Sequence, residues 1–301
     1  MQRWLNIVLE AHMPLQPGKD FLEFHDLHAD AVFSIIDRAG VLAEDWSQAA
    51  TPQTLKGKRI GLIVDDTGWR NTAAFDLGIQ TMGGICVTVP ISFNGREDIA
   101  DLAGYLDNWF DLLIVRSKEL STLRALAAEM CAPVINARTK SNHPCETLGD
   151  LAYVKSVRGR IDDLKIVGVA PDANILRSWV EASISLPIQV TQVYHDQWHV
   201  TDAALINPNF RVSTDMAELL DADVVITDSW PAGPDHHLAD YRISASLLDR
   251  MRPDAIFLPC PPVAHGQEAT ADAMVHPACQ SRAAKAFLLH AQNALMEFLL
   301  A

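Results

Sequence analysis

The alternation of short β-rich runs with helix-length segments constrains this chain more than any other feature. A polar turn, Lys56-Gly57-Lys58, precedes Ile60-Gly61-Leu62-Ile63-Val64; a helix-like stretch then runs from Thr72 to Met82, stopped by Gly83-Gly84. Further β-rich runs are Ile85 to Val89, Leu112 to Val115 and Val134 to Asn136, separated by helical segments Ile99 to Trp109 and Leu120 to Met130. A second series opens at Leu164 to Val169 and continues with strand runs Ile188 to Val193, Val224 to Thr227 and Ala255 to Leu258. Helical periodicity fits Ile175 to Ser185 and Met216 to Leu220. Near-continuous apolar strands alternating with helices are the pattern of a parallel sheet covered on both faces. The expected fold is α/β, with two domains, each a parallel β-sheet flanked by helices. Ser156 to Asp163 reads as the linker, residues 21–47 as a helical segment before the first sheet, and Gln280 to Leu300 as a terminal amphipathic helix.

A length of 301 residues suits two such domains. The formal charge of −14 argues against a broad nucleic-acid footprint, but a local arginine cluster can still hold a small anion. No apolar run reaches the roughly 18–20 residues of a membrane helix. The apolar stretch near the N-terminus is too short for a signal peptide and is broken by Glu10, so a cytoplasmic protein is expected. The five cysteines lack CxxC spacing and are expected as buried free thiols. His195 and His199, and the pair His236-His237, fall in loops without a Cys/His partner cluster, so no metal is expected. No dinucleotide or P-loop glycine motif stands between a strand and a helix.

The chemistry concentrates in His143-Pro144-Cys145-Glu146-Thr147-Leu148-Gly149-Asp150-Leu151, which follows the strand run Pro133 to Asn136 and opens a helix. A histidine is thereby placed at the open end of a parallel sheet, where ligands bind beside helix N-termini whose free amides attract anions. This stretch resembles the His-Pro-Cys-Gln helix start of the aspartate and ornithine carbamoyltransferases. Other segments resemble that family in the same order: Phe21-Leu22 with Asp26-Leu27, Leu55 to Lys58, Gly95-Arg96-Glu97-Asp98, Phe110 to Arg116, Thr227-Asp228-Ser229-Trp230 and Cys260-Pro261-Pro262. Each match is weak alone; the shared order and spacing identify the chain as a divergent member.

The resemblance implies carbamoyl transfer from carbamoyl phosphate, or a related donor, to an amine or amino-acid acceptor, with no cofactor. It assigns His143 to polarising the donor carbonyl, Arg70 and Arg116 to the phosphate, and Asp228 and Cys260 to holding and deprotonating the acceptor amine. Gly68, Trp69, Asn71 and Thr72 form the phosphate loop, Asn174 matches an acceptor contact, and Arg282 or Gln280 stands near a further phosphate arginine. Residues 1–150 with 280–301 would form the donor-binding domain and 151–279 the acceptor-binding domain. The family implies a homotrimer.

Departures from the family pattern are as informative as the matches. The loop Gly68-Trp69-Arg70-Asn71-Thr72 stands where relatives carry Ser-Thr-Arg-Thr-Arg, so one hydroxyl and one bidentate clamp are lost. The substitutions Gly68→Ser and Thr72→Arg are expected to strengthen donor binding. Glu146 replaces glutamine; its charge, at about 6 Å from a phosphate and an effective dielectric near 20, would cost on the order of 3 kcal/mol per unit charge. Alternatively it pairs with a cationic ligand. Pro231-Ala232-Gly233 replaces the Ser-Met-Gly loop of ornithine enzymes, so ornithine is not the expected acceptor. The rival reading is a non-catalytic homologue, acting as a binding or regulatory protein.

Overall fold

The computed structural model describes residues 20–301, apart from 65–67, 94, 96, 232 and 234–235. Arg96 and Ala232, both singled out in the sequence, therefore lie outside the described residues.

Helix α1 (Ala29–Ser47) precedes a series β1 (Arg59–Val64), α2 (Trp69–Thr81), β2 (Ile85–Val89), α3 (Ile99–Asp107), β3 (Leu112–Arg116), α4 (Leu120–Glu129) and β4 (Val134–Arg138). Helix α5 (Pro144–Arg158) leads to the second series, β5 (Lys165–Val169), α6 (Asn174–Ser185), β6 (Gln189–Val193), β7 (Phe210–Ser213) and β8 (Val224–Thr227). A short α7 (Ala245–Leu248), β9 (Ile256–Pro259) and the terminal α8 (Ser281–Leu299) complete the chain. Strands pair in the orders β2-β1-β3-β4 and β7-β6-β5-β8-β9. All of these pairings are parallel. The two parallel sheets flanked by helices expected from the alternation are present.

Burial explains which elements were legible. Central β3 is buried throughout and reads as an unbroken apolar run. Edge strand β7 buries only Phe210, and its Arg211 and Ser213 dilute the strand signal, so it was missed. Helix α5 is buried from Pro144 to Val154, packed on α1, α6, α8 and β4, so it carries no amphipathic stripe. It runs to Arg158 and ends at Gly159 in the left-handed region (φ 77°); the first three residues of the expected linker belong to it. Helix α2 starts at Trp69 rather than Thr72, and Met216 to Leu220 lies within a 3-10 helix, Met216–Asp221. Cys131 is exposed, contrary to the expectation of buried thiols, whereas Cys145 is buried. Among the described residues no helix is long and apolar enough to cross a membrane.

The strand order positions the site. In the first sheet the chain moves from β1 outward to β2, then returns to β3 on β1's other side; in the second it leaves β5 toward β7, then returns to β8. Both sheets thus have a topological switch point, between β1 and β3 and between β5 and β8, and the crevice at the carboxyl ends of such strands is where ligands fit.

Candidate active site

A cavity of about 490 Å³ opens at these two switch points. Its walls come from residues just past the carboxyl ends of strands: Gly68 to Asn71 after β1, Arg116 ending β3, Arg138 ending β4, Asn174 and Ile175 after β5, Asp228 and Ser229 after β8, and Cys260 to Pro262 after β9. The first residues of α2, α5 and α6 all reach this wall, so three helix N-termini add their free amides to it.

The cationic wall is denser than the sequence suggested. Arg116 and Arg138 are paired neighbours in the β3–β4 register, and Arg70 stands over the Trp69 ring, 5.1 Å from its centroid. Arg138 was not singled out; a cation closing the strand beside Arg116 was the signal available. Gly68 (φ 157°) lies so close to Arg116 that a Cβ built on it would overlap the guanidinium. A serine there would displace the Arg116 guanidinium, which runs against the expected benefit of Gly68→Ser. Asn71 is buried and donates from Nδ2 to the Ala137 carbonyl at 3.2 Å, tying the loop to β4. The Thr72 hydroxyl donates to the carbonyls of Gly68 and Trp69, so Thr72 is turned back into its own helix and does not line the cavity.

His143 is the N-cap residue of α5, with Pro144 following as first helical residue, where its missing N–H costs nothing. Its backbone N–H donates to Ser178 Oγ on α6 at 2.7 Å, a fixing contact the sequence reading missed. Burial lowers the imidazole pKa to about 4; Glu146 opposes the shift, while Arg116, Arg138 and Lys285 reinforce it. At neutral pH the ring is uncharged and carries one N–H. Its Nδ1 is buried without a partner among the described residues.

Glu146, in the first turn of α5, forms an ion pair with Lys285 of α8, which also reaches Asp150 at 3.0 Å. Burial pushes the Glu146 carboxyl up, but Lys285 and His143 outweigh it and hold it below its ordinary value. Asp150 is shifted upward by burial, and its two acidic neighbours hold the Lys285 ammonium above its usual range. The expected repulsion between Glu146 and a phosphate is therefore corrected: its charge is matched within the protein, by a residue 139 positions further along the chain.

On the other wall, Asp228 accepts hydrogen bonds from the backbone N–H groups of Ser229, at 2.7 Å, and Ile175. Burial nevertheless raises it to about 6. Cys260, half-buried, is pushed well up by burial and by Glu146 and Asp228, so it presents a thiol and not a thiolate. Asn174 is the first residue of α6, with Ala173 as N-cap. Its Nδ2 donates to the Thr139 carbonyl at 2.9 Å, joining α6 to the loop before α5.

Arg282 does not line this cavity. It borders an adjoining one of about 1000 Å³ shared with Trp69, Arg70, Pro261, Pro262 and Lys285. Gln280 accepts from the Tyr153 hydroxyl at 3.0 Å and donates to the Pro277 carbonyl, so it is committed to structure. His195 meets Asp196, and His199 meets the Tyr194 and Ser213 carbonyls; among the described residues no group of three His, Cys, Asp or Glu is arranged to hold a metal.

Comparison with known proteins places the chain in a family over nearly its whole length. Residues 19–156 match the aspartate/ornithine carbamoyltransferase carbamoyl-P binding domain, and residues 162–299 match the Asp/Orn binding domain. An ornithine carbamoyltransferase of Oceanobacillus iheyensis is 28% identical, over 94% of this chain and 95% of its own length. One from Roseobacter denitrificans is 29% identical, over 93% of this chain and 99% of its own. The crystal structure of ornithine carbamoyltransferase from Burkholderia thailandensis superposes with a TM-score of 0.88 at 26% identity, covering 94% of this chain and 98% of that one.

Proposed function

Given that the chain belongs to the aspartate/ornithine carbamoyltransferase family, we propose that it transfers a carbamoyl group from carbamoyl phosphate, or a closely related donor, to an amine. The observation that carries this reading is the meeting of three guanidinium groups with a neutral histidine in one cavity at both switch points. Arg70, Arg116 and Arg138 bind the phosphate. The His143 N–H donates to the carbonyl oxygen, where negative charge grows as the amine adds to carbon. Glu146 accepts from the carbamoyl NH2 group, since a carboxylate offers only acceptor sites. Asp228 and Asn174 address the acceptor, and Cys260 lines the cavity as a neutral thiol. The new C–N bond forms as the C–O bond to phosphate breaks; phosphate leaves, and the amine proton passes to Asp228 or to water. Holding both reactants in one orientation accounts for much of the acceleration, and no metal or cofactor is required.

In this reading residues 1–150 with 280–301 bind the donor and 151–279 the acceptor. The packing of α8 on α1, α2 and α5 supports that grouping. Family resemblance supports a cytoplasmic homotrimer. Ornithine is not the preferred acceptor, because Pro231 offers no backbone donor to an amino-acid end. The test is a panel of amines incubated with carbamoyl phosphate and scored for phosphate and the carbamoylated product. Amine-dependent release of both is expected, with ornithine below the best amine. A preference for ornithine would refute the acceptor assignment; no transfer with any amine would favour a non-catalytic binding protein.

A further inference from the structure

Three side chains on two facing helices form a buried charge cluster behind the cavity. Glu146 and Asp150 stand four residues apart on α5, hence on the same face, and Lys285 of α8 lies between them. All three side chains are largely shielded, with relative exposures of 7%, 4% and 16%. The reach of one lysine to both acids depends on a close helix approach. At Gly149 a Cβ would come within 3.0 Å of Leu288 Cα and 3.3 Å of Leu288 N on the α8 backbone, so any larger residue would require α8 to give way by a few tenths of an ångström. Glu146 lines the main cavity and Lys285 the adjoining one, so the cation supports the carboxylate from behind without facing the reactants.

Building on the carbamoyl-transfer reading above, we propose that Lys285 is a positioning residue that sets the specificity of the site for a transferred group bearing N–H. Held ionised and aimed by Lys285, Glu146 has four acceptor lone pairs and no donor. A carbamoyl NH2 satisfies it; the methyl of an acetyl group leaves a buried carboxylate facing carbon, which costs far more than a weak contact. Without Lys285, two buried acids lose the ammonium that pairs with both, and the guanidinium of Arg70 acts on Glu146 only more weakly. Glu146 then takes a proton or turns away, and the discrimination between NH2 and CH3 falls. A neutral glutamine at position 146 has no need of the lysine, so the pair acts as one unit.

The test compares binding of phosphonoacetamide with that of 2-oxopropylphosphonate, in which CH3 replaces NH2, by calorimetric titration of the intact protein. The parent is expected to prefer the amide by at least tenfold. Lys285→Met should reduce that preference to about threefold or less, and the double variant Glu146→Gln/Lys285→Met should recover most of it. A lysine serving only to hold α8 in place would not be rescued by a change on α5. The proposal is overturned if Lys285→Met keeps the parent preference, or if the double variant folds and shows no recovery. Should Lys285→Met fail to fold, a folded double variant that prefers the amide supports the proposal, and a double variant that also fails to fold overturns it. A parent that binds both phosphonates equally overturns it too. The carbamoyl-transfer reading fails separately, by absence of amine-dependent phosphate release in the parent.

Discussion

Two carboxylates flank His143, both buried, and the fold treats them in opposite ways. Glu146 meets the Lys285 ammonium and is held below its ordinary pKa. Among the described residues, Glu181, on α6, accepts from neutral groups only: the Phe24 backbone N–H at 3.1 Å and Asn142 Nδ2 at 3.1 Å. Burial, with weaker repulsion from Glu23 and Asp26, drives Glu181 up to about 8 despite those bonds. Similar burial therefore gives a charged group on one side and a protonated one on the other; the partner decides, not the depth. Glu146 lines the cavity. Glu181 closes a network in which Asn136 and Asn142 both donate to the Leu22 carbonyl, linking α6 to the first sheet. His143 joins the two regions, its ring beside Glu146 and its backbone bonded to Ser178, one turn from Glu181 on α6.

The strongest attempt to break this contrast removes His143. If the Glu146 side is chemistry, His143→Ala lowers kcat by about 10²–10³ at donor saturation, the usual effect of losing one donor to a developing oxyanion. At neutral pH the melting temperature should remain near that of the parent, because the backbone bond to Ser178 survives the change; as pH falls below 6.5 toward 4 the parent should lose stability that the variant keeps, since the buried imidazole resists a proton the unfolded chain takes up. Full activity in this variant would place the reaction elsewhere. His143→Asn should keep part of the rate, since an amide also donates.

Glu181→Gln examines the other side. A folded-state pKa raised to about 8 from 4.5 gives stability that is complete below 4.5 and is lost as pH rises through 8, because the folded state must surrender a proton the unfolded chain has already lost. Between pH 6 and 8 this amounts to at most about 3 kcal/mol, or roughly 5 °C or more in Tm for a chain of this size. Thermal melts of parent and variant should diverge over that interval, with the parent falling more steeply and kcat at pH 6 nearly equal. Parallel melting curves would mean that Glu181 is already ionised and the contrast with Glu146 is false.

How much of this was legible depended on the range of the contacts involved. The parallel sheets followed from alternating runs, each encoded within a few residues, and only edge strand β7 escaped. Loop residues at strand ends, such as Arg116, Asp228 and Cys260, could be placed because a local motif fixes them to the carboxyl edge of a sheet. Lys285 could not. It occupies an ordinary position on a helix, and its meaning arises from the close α5–α8 approach at Gly149. Thr72 misled for the converse reason: its motif position pointed to the cavity, but a threonine hydroxyl satisfies itself on the carbonyls of the preceding turn. Ser178 and Arg138 were within reach, the latter by extending to β4 the reasoning applied to β3.

The smallest expected effect sharpens the comparison on the cation side, where packing against Gly68 helps place the Arg116 guanidinium that lines the same cavity as Glu146. Gly68 leaves room for the Arg116 guanidinium that any Cβ would occupy. Gly68→Ala should therefore shift Arg116 at an overpacking cost of about 1–3 kcal/mol, part of it paid by displacing the arginine from the phosphate position. The donor KM should rise by roughly tenfold, equivalent to about 1.4 kcal/mol, with kcat changed far less, because His143 and Glu146 keep their places on α5. The Tm difference between Glu181→Gln and its parent should be the same in this background, since Gly68 and Glu181 share no partner and distant changes add. An unchanged donor KM would show that Arg116 does not hold the phosphate, leaving Arg70 and Arg138 to do so.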